Sequence, residues 1–133
     1  MQVGPVKIRT QLLCGGEPAI GPGKADLLEA IDRTGSISAA GRALGMSYRR
    51  AWLLVDSMNH CWTERLVDTT AGGSTSRGAR LTAKGRVILD SFRALEKQLA
   101  IALPGEALDG LTAGLREIPL PGGADMTARA PID

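Results

Sequence analysis

The run Ser47-Tyr48-Arg49-Arg50-Ala51-Trp52 holds the residue types best suited to chemistry with an external partner. Arginine carries a planar fork that matches guanine O6 and N7, and a fixed charge that suits phosphate. Ser47 stands where a helix N-cap belongs, with Ala51, Val55 and Met58 behind it at the spacing of a buried helical stripe that Leu54 widens. Ser47, Tyr48, Arg49, Arg50, Trp52 and Leu53 fall off that stripe. Two cations in a first helical turn oppose the macrodipole, so local stability does not account for them and an anionic partner does. A tyrosine hydroxyl can reach a phosphate. Trp52 has two open uses, apolar contact with a thymine methyl or sugar and packing beside Trp62.

A second group of such residues follows. Segment 71–80 is rich in glycine and hydroxyls, and carries Ser74, Thr75, Ser76, Arg77 and Arg80. These are the groups that hold phosphates or a narrow minor groove, and so position a protein on a duplex without reading its sequence. Lys84 and Arg86 extend the same track. Ser36 and Ser38, at the head of a short helix, offer hydroxyls and backbone amides to another phosphate. Charge is distributed to match. Net charge is +2 for the chain, yet residues 1–103 hold 14 Lys/Arg against 9 Asp/Glu, and residues 104–133 hold 2 against 5. A basic body with an acidic tail favours an anionic partner for the body, and together with the arginine-bearing helix and hairpin the expected partner is double-stranded DNA.

Catalysis finds little footing, and no enzyme is expected. His60 is the one histidine, and its neighbour Cys61 does not complete a metal site. A Gly-rich phosphate cradle with its lysine is missing, as is a histidine pair of the metalloprotease kind, so no cofactor is expected. Cys14 and Cys61 lack metal spacing and read as reduced, part-buried hydrophobes. No apolar run approaches the ~20 residues of a membrane span and the N-terminus has no signal pattern, so the expected location is cytoplasmic.

The elements that must position these side chains follow from periodicity. Val6–Leu13 alternates as one half-buried strand, and Gly15-Gly16 and Gly21-Pro22-Gly23 punctuate a turn region. Lys24–Arg33 repeats as a helix closed by Gly35. Ser36 caps a short helix rich in small residues (Ala39, Ala40, Gly41, Ala43), Gly45 turns the chain, and the helix of residues 47–62 follows. Leu66–Thr70 and Ala79–Thr82 form a hairpin around loop 71–80. Thr82 caps a last helix from Ala83 to about Leu103, with stripe Leu89, Phe92, Leu95, Leu99 and Leu103, widened by Val87 and Ile88. Beyond Pro104, 9 of 30 residues are Gly or Pro, and the spacing of Leu108, Leu111, Leu115 and Ile118 allows one short helix before order fades. The expected fold is mainly α with a small β-hairpin: a winged helix-turn-helix domain over 1–103, with an N-terminal strand and a long C-terminal helix, followed by an acidic Gly/Pro-rich tail over 104–133. Its helix 47–62 enters the major groove.

The residues also resemble a known family, the DNA-binding domain of ModE-type, molybdate-responsive regulators. The resemblance rests on Gly35-Ser-Ile-Ser38, Ser47-Tyr48, Ala51-Trp52, Met58-Asn59, Leu66-Val67, Gly72-Gly73, and Leu81-Thr82 with Gly85, and covers about residues 5–103. The helix-turn-helix and the Leu81-Thr82…Gly85 portion are similar to LysR-type regulators as well, whose large effector domain has no room in this chain. The ModE resemblance implies a homodimer joined through the N-terminal strand and the last long helix. It also implies that Ser47, Tyr48, Arg49, Arg50 and Trp52 face DNA and that the loop around Ser74–Arg80 is the wing. Such regulators sense molybdate through appended small β-barrels; the chain ends before one could be built, and Met126–Arg129 resembles the start of one over four residues only. Molybdate binding is therefore not carried over. A winged-helix module that binds another protein instead of DNA is the alternative expectation.

Overall fold

The computed structural model describes residues 1–70 and 78–122. Ser74, Thr75, Ser76 and Arg77 of the expected wing, and the Met126–Arg129 stretch, lie outside the described residues. Two compact units divide the chain, one over Met1–Ala102 and one from Leu103 onward.

The first unit begins with two small hairpins where one strand was expected. β1 (Gln2–Val3) pairs with β2 (Val6–Lys7) across Gly4-Pro5, and β3 (Leu12–Cys14) pairs with β4 (Glu17–Ile20) across Gly15-Gly16. The alternation that suggests a single strand over 6–13 breaks at Leu12-Leu13, where two leucines in succession cannot both face one side, and the ladder shifts register there. Gly15, at φ +62°, supplies the turn conformation. β4 escapes sequence reading because Pro18 and the flanking glycines look like loop; it survives in a two-stranded ribbon, where every strand is an edge.

Helix α1 (Pro22–Thr34) starts two residues earlier than expected, with Pro22 in the first turn and Gly35 closing it in the left-handed conformation, its N–H donating to Ile31 O at 2.8 Å. α2 (Ile37–Ala43) is capped by Ser36, whose Oγ accepts from Ala39 N at 2.9 Å. Gly45 (φ +72°) turns the chain into α3 (Tyr48–Asn59), capped by Ser47 through Arg50 N at 3.1 Å. A Cβ on Gly41 would stand 3.1 Å from Ala51 Cβ and 3.3 Å from Met46 O, so α2 and α3 cross as closely as a small residue permits. α3 ends at Asn59, three residues short of the expected 62, because His60 N and Cys61 N fold back to Ser57 O and Met58 O in a tight last turn.

Strands β5 (Val67–Thr70) and β6 (Gly78–Leu81) form the hairpin, in antiparallel register from Val67↔Leu81 to Thr70↔Gly78. α4 (Ala83–Ala102) then opens on Thr82, whose Oγ1 accepts from Gly85 N at 2.9 Å. The core gathers Leu27, Leu28 and Ile31 of α1, Ala51, Val55 and Met58 of α3, Leu66 and Val67 before and in β5, and Leu89 and Phe92 of α4. Of the expected α4 stripe, Leu89 and Phe92 are buried and Ile88 and Leu99 half-buried, whereas Leu95 is 42% exposed and Val87 53%; Ile101, off the stripe, is 79% exposed. In the second unit α5 (Glu106–Thr112) is a short helix that buries no residue, and Leu115 and Ile118 lie past its end. Among the described residues, five helices and three antiparallel strand pairs make the architecture mainly helical with a small β component, which fits a winged helix.

Candidate nucleic-acid interface

Packing of α3 determines what it shows. Ala51, Val55 and Met58 are buried, as the stripe expects, and Leu54 is half-buried against the core. The rest of the first two turns faces outward: Tyr48 is 54% exposed and Trp52 44%, with Arg49 and Arg50 exposed beside them. Trp52 therefore does not pack as a core residue, whereas Trp62 is half-buried against the core. No acid stands in the first turn of α3. Among the described residues no ion pair involves Arg49, Arg50, Arg80 or Lys84. Arg49 and Arg50 have no acid in their own helical turn, and the N-terminal dipole of α3 adds to their charge, whereas Arg80 stands opposite Asp68 across the hairpin.

The other candidate residues are distributed around this helix. Ser36 and Ser38 open α2, which packs along α3. Arg80 lies exposed on β6, and β6 is tied to the head of α2 by Ala79 N donating to Gly35 O at 2.8 Å. That bond brings the backbone of Arg80 within a residue of the Gly35–Ser36 junction. Lys84 is half-buried at the start of α4. The serines are not free hydroxyls: Ser36 and Ser47 are caps, and Ser38 Oγ accepts from Arg42 Nη1 at 2.9 Å. Arg42 is a candidate that sequence reading overlooked; its four-residue separation from Ser38 on one helix face was the available signal. Arg86 moves the other way. Its guanidinium binds Asp32 at 2.6 Å, and the hydrogen bond and charge of that carboxylate raise its pKa further, so Arg86 belongs to the α1–α4 contact and not to a phosphate track.

Two polar devices hold the scaffold of this surface. Asn59, at the end of α3, accepts at Oδ1 from Leu66 N (2.8 Å) and Val67 N (3.0 Å), and donates from Nδ2 to Val67 O (3.1 Å). Its carboxamide stands in for a neighbouring strand along the free edge of Val67, fixing the hairpin to the helix. Arg93 of α4 binds Asp26 (2.7 Å) and Glu29 of α1 and Glu96 of its own helix (3.0 Å). Partial burial works to lower the pKa of Arg93, but the three carboxylates outweigh it and raise the pKa above the ordinary value. Lys24 joins the N-terminal ribbon to the same body by donating to Pro18 O and to Ser57 Oγ.

Other chemistry stays thin. No group of three or more metal-ligating side chains occurs among the described residues. His60 is an exposed helix-end residue whose Nδ1 lies 2.7 Å from Asp56 O. Cys14 is exposed rather than part-buried as expected, because it sits at the corner of the β3–β4 ribbon. Burial pushes the Cys61 thiol up, and the neighbouring Cys14 thiol adds to the shift. No helix among the described residues is long and apolar enough to cross a membrane.

The model of the bacterial regulatory helix-turn-helix protein, lysR family, matches residues 24–86. The molybdenum-pterin-binding protein MopA of Rhodobacter capsulatus is 37% identical over 103 residues, which is 77% of this chain and 39% of that protein. The molybdenum transport protein ModE of Azotobacter vinelandii is 43% identical over 90 residues, covering 66% of this chain and 33% of that protein. The DNA-binding transcriptional dual regulator ModE of Escherichia coli (strain K12) is 34% identical over 71 residues, 53% of this chain and 27% of that protein. The chain thus spans about two-fifths or less of these relatives' lengths. Residues 24–86 match a LysR-type helix-turn-helix model, within a chain that is homologous to part of ModE and Mop proteins.

Proposed function

We propose that the chain is a sequence-specific, DNA-binding transcriptional regulator that works as a homodimer in the cytoplasm, in control of molybdenum-related genes. Residues 1–103 are the DNA-binding module and the acidic segment 104–133 lies outside it. α3 enters the major groove, with Tyr48, Arg49, Arg50 and Trp52 toward base edges. The wing, residues 71–80, lies on the backbone or in the minor groove, and Ser36, Ser38, Ser47 and Lys84 meet phosphates. One observation carries this reading: the exposed face at the start of α3 holds two arginines with no ion-pair partner among the described residues. The names of the relatives support the molybdenum connection, and no molybdate site is assigned to this chain. No catalytic role is proposed.

Dimerisation finds support in uncovered apolar surface. Leu12 of β3 is 54% exposed and, with Leu95, borders a cleft of about 160 Å³ floored by Ile20, Trp62 and Phe92; Leu13 beside it is 59% exposed. A second copy covers it, which joins the N-terminal ribbon to the long helix as the resemblance implies.

The test is binding to a duplex chosen by selection from random sequences. The parent should bind a palindrome with steep salt dependence, and Arg49→Ala with Arg50→Ala should abolish specificity while the melting temperature stays put. Unchanged affinity for the selected duplex refutes the assignment. Salt-insensitive or absent binding turns the reading to a protein-interaction module.

A further inference from the structure

The outward face of α3 is not uniformly basic. Leu53 lies one helical turn beyond Arg49 on the side away from Ala51, Val55 and Met58, and it is 48% exposed. Trp52 and Tyr48 flank it, and Leu44 is 37% exposed just before Gly45. A single exposed leucine on a protein surface is commonplace. This one sits among apolar side chains on a helix whose first turn carries the uncompensated cations Arg49 and Arg50, where a merely solvated face would carry polar residues.

From this juxtaposition we infer that Leu53 is a specificity-determining residue that reads a thymine C5-methyl group in the major groove, one turn along α3 from the base or phosphate held by Arg49. The inference rests on the proposed DNA-binding function and adds to it which base is read. Among the groups a base pair presents in the major groove, the thymine methyl is the one bulky apolar feature; cytosine has only a hydrogen at that position, and the remaining edge groups are hydrogen-bond donors or acceptors. An isobutyl side chain offers neither, so it discriminates by contact with that methyl and by refusing the amino and oxo groups of the other bases. The flanking arginines supply the charge complementarity that brings the face to DNA, and Leu53 supplies none.

The experiment uses the full chain and the selected duplex, with each thymine replaced in turn by deoxyuridine, which removes the methyl and leaves pairing intact. Fluorescence anisotropy gives Kd at two salt concentrations. At one thymine position per half-site the parent should lose about fourfold in affinity, the worth of one buried methyl group. Leu53→Ala should bind the thymine and uracil duplexes within about a factor of two of each other, and should keep the parent's salt slope and melting temperature. Indifference of the parent to uracil at every position overturns the inference, as does an undiminished thymine preference in Leu53→Ala, which assigns the methyl to another residue. A changed oligomeric state in Leu53→Ala also overturns it, since Leu53 then belongs to a contact between copies. These outcomes leave DNA binding standing; absence of any salt-sensitive binding by the parent removes both.

Discussion

Asn59→Ala removes one side chain and three hydrogen bonds, and the structure allows the loss to be worked out. Leu66 and Val67 are both 0% exposed, so the two amides that Asn59 Oδ1 accepts from have no water to turn to once the carboxamide is gone. A net hydrogen bond is worth about 1 kcal/mol, and a buried donor left without a partner costs about 1–3 kcal/mol. Some relaxation of the Leu66 backbone offsets part of this, which leaves an expected loss of about 2–4 kcal/mol. For a domain of this size each kcal/mol moves the melting temperature by about 4–8 °C, so a fall of roughly 10–25 °C is expected. Asn59→Asp is the informative companion. It keeps acceptors for Leu66 N and Val67 N but sets an acceptor against Val67 O in place of the Nδ2 donor, so it should fall between parent and alanine variant. Thermal unfolding followed by circular dichroism gives the global effect, and amide hydrogen exchange at Leu66 and Val67 gives the local one. An alanine variant that melts within about 3 °C of the parent, with both amides still protected, would refute the reasoning.

Gly85→Ala should be similarly severe for a different cause. A Cβ there would fall 2.1 Å from Leu66 O, the carbonyl that receives Thr82 N, and neither backbone can yield without opening the hairpin–α4 junction; about 1–3 kcal/mol of lost stability should appear as a lower urea midpoint. Arg93→Met leaves Asp26, Glu29 and Glu96 facing one another, so stability should fall by about 1 kcal/mol at low salt and recover part of that as added salt screens the carboxylates. Leu12→Asp with Leu95→Asp should shift sedimentation from dimer to monomer while far-ultraviolet circular dichroism is kept; a variant that stays dimeric places the interface elsewhere. In a Cys14→Ser background, Cys61 should alkylate with iodoacetamide slowly at neutral pH. Its rate should climb only above the pH at which an ordinary thiol ionises, because burial disfavours its thiolate; half-maximal rate at an ordinary thiol pH rules this out.

The helix-turn-helix was legible because its signals are local. Ser36, Gly45 and Ser47 announce caps and a turn by residue type alone, and Ala51, Val55 and Met58 announce the buried face by spacing. The point where α3 ends was not legible, since Asn59 is an unremarkable helix residue until Leu66 and Val67 come back to meet it. β4 was hidden by Pro18, which local rules assign to a turn and which an edge strand accepts. Arg86 shows the same limit for charge: a basic residue beside Lys84 looks like part of a track, and only the fold reveals Asp32 at its guanidinium. Partner choice among charged side chains is a long-range property, and spacing along the chain does not contain it. Leu95 carries the complementary lesson, since its periodicity is that of a buried stripe although this chain alone leaves it largely uncovered.

The cap bonds of Ser36 and Ser47 have a consequence for the entropy of association. Each hydroxyl oxygen is already fixed by an amide of its own helix, Ala39 N and Arg50 N, so its rotamer is chosen before any ligand arrives. A phosphate that meets either hydroxyl finds a donor whose ordering was completed when the helix formed, and freezes no further rotamer. The exposed arginines, with long side chains and no ion-pair partner among the described residues, must surrender about 1–2 kcal/mol of rotamer freedom each on binding. Calorimetry should therefore assign little conformational entropy loss to the serines and most of it to Arg49 and Arg50, and replacing either arginine should make the measured binding entropy less unfavourable even as affinity falls.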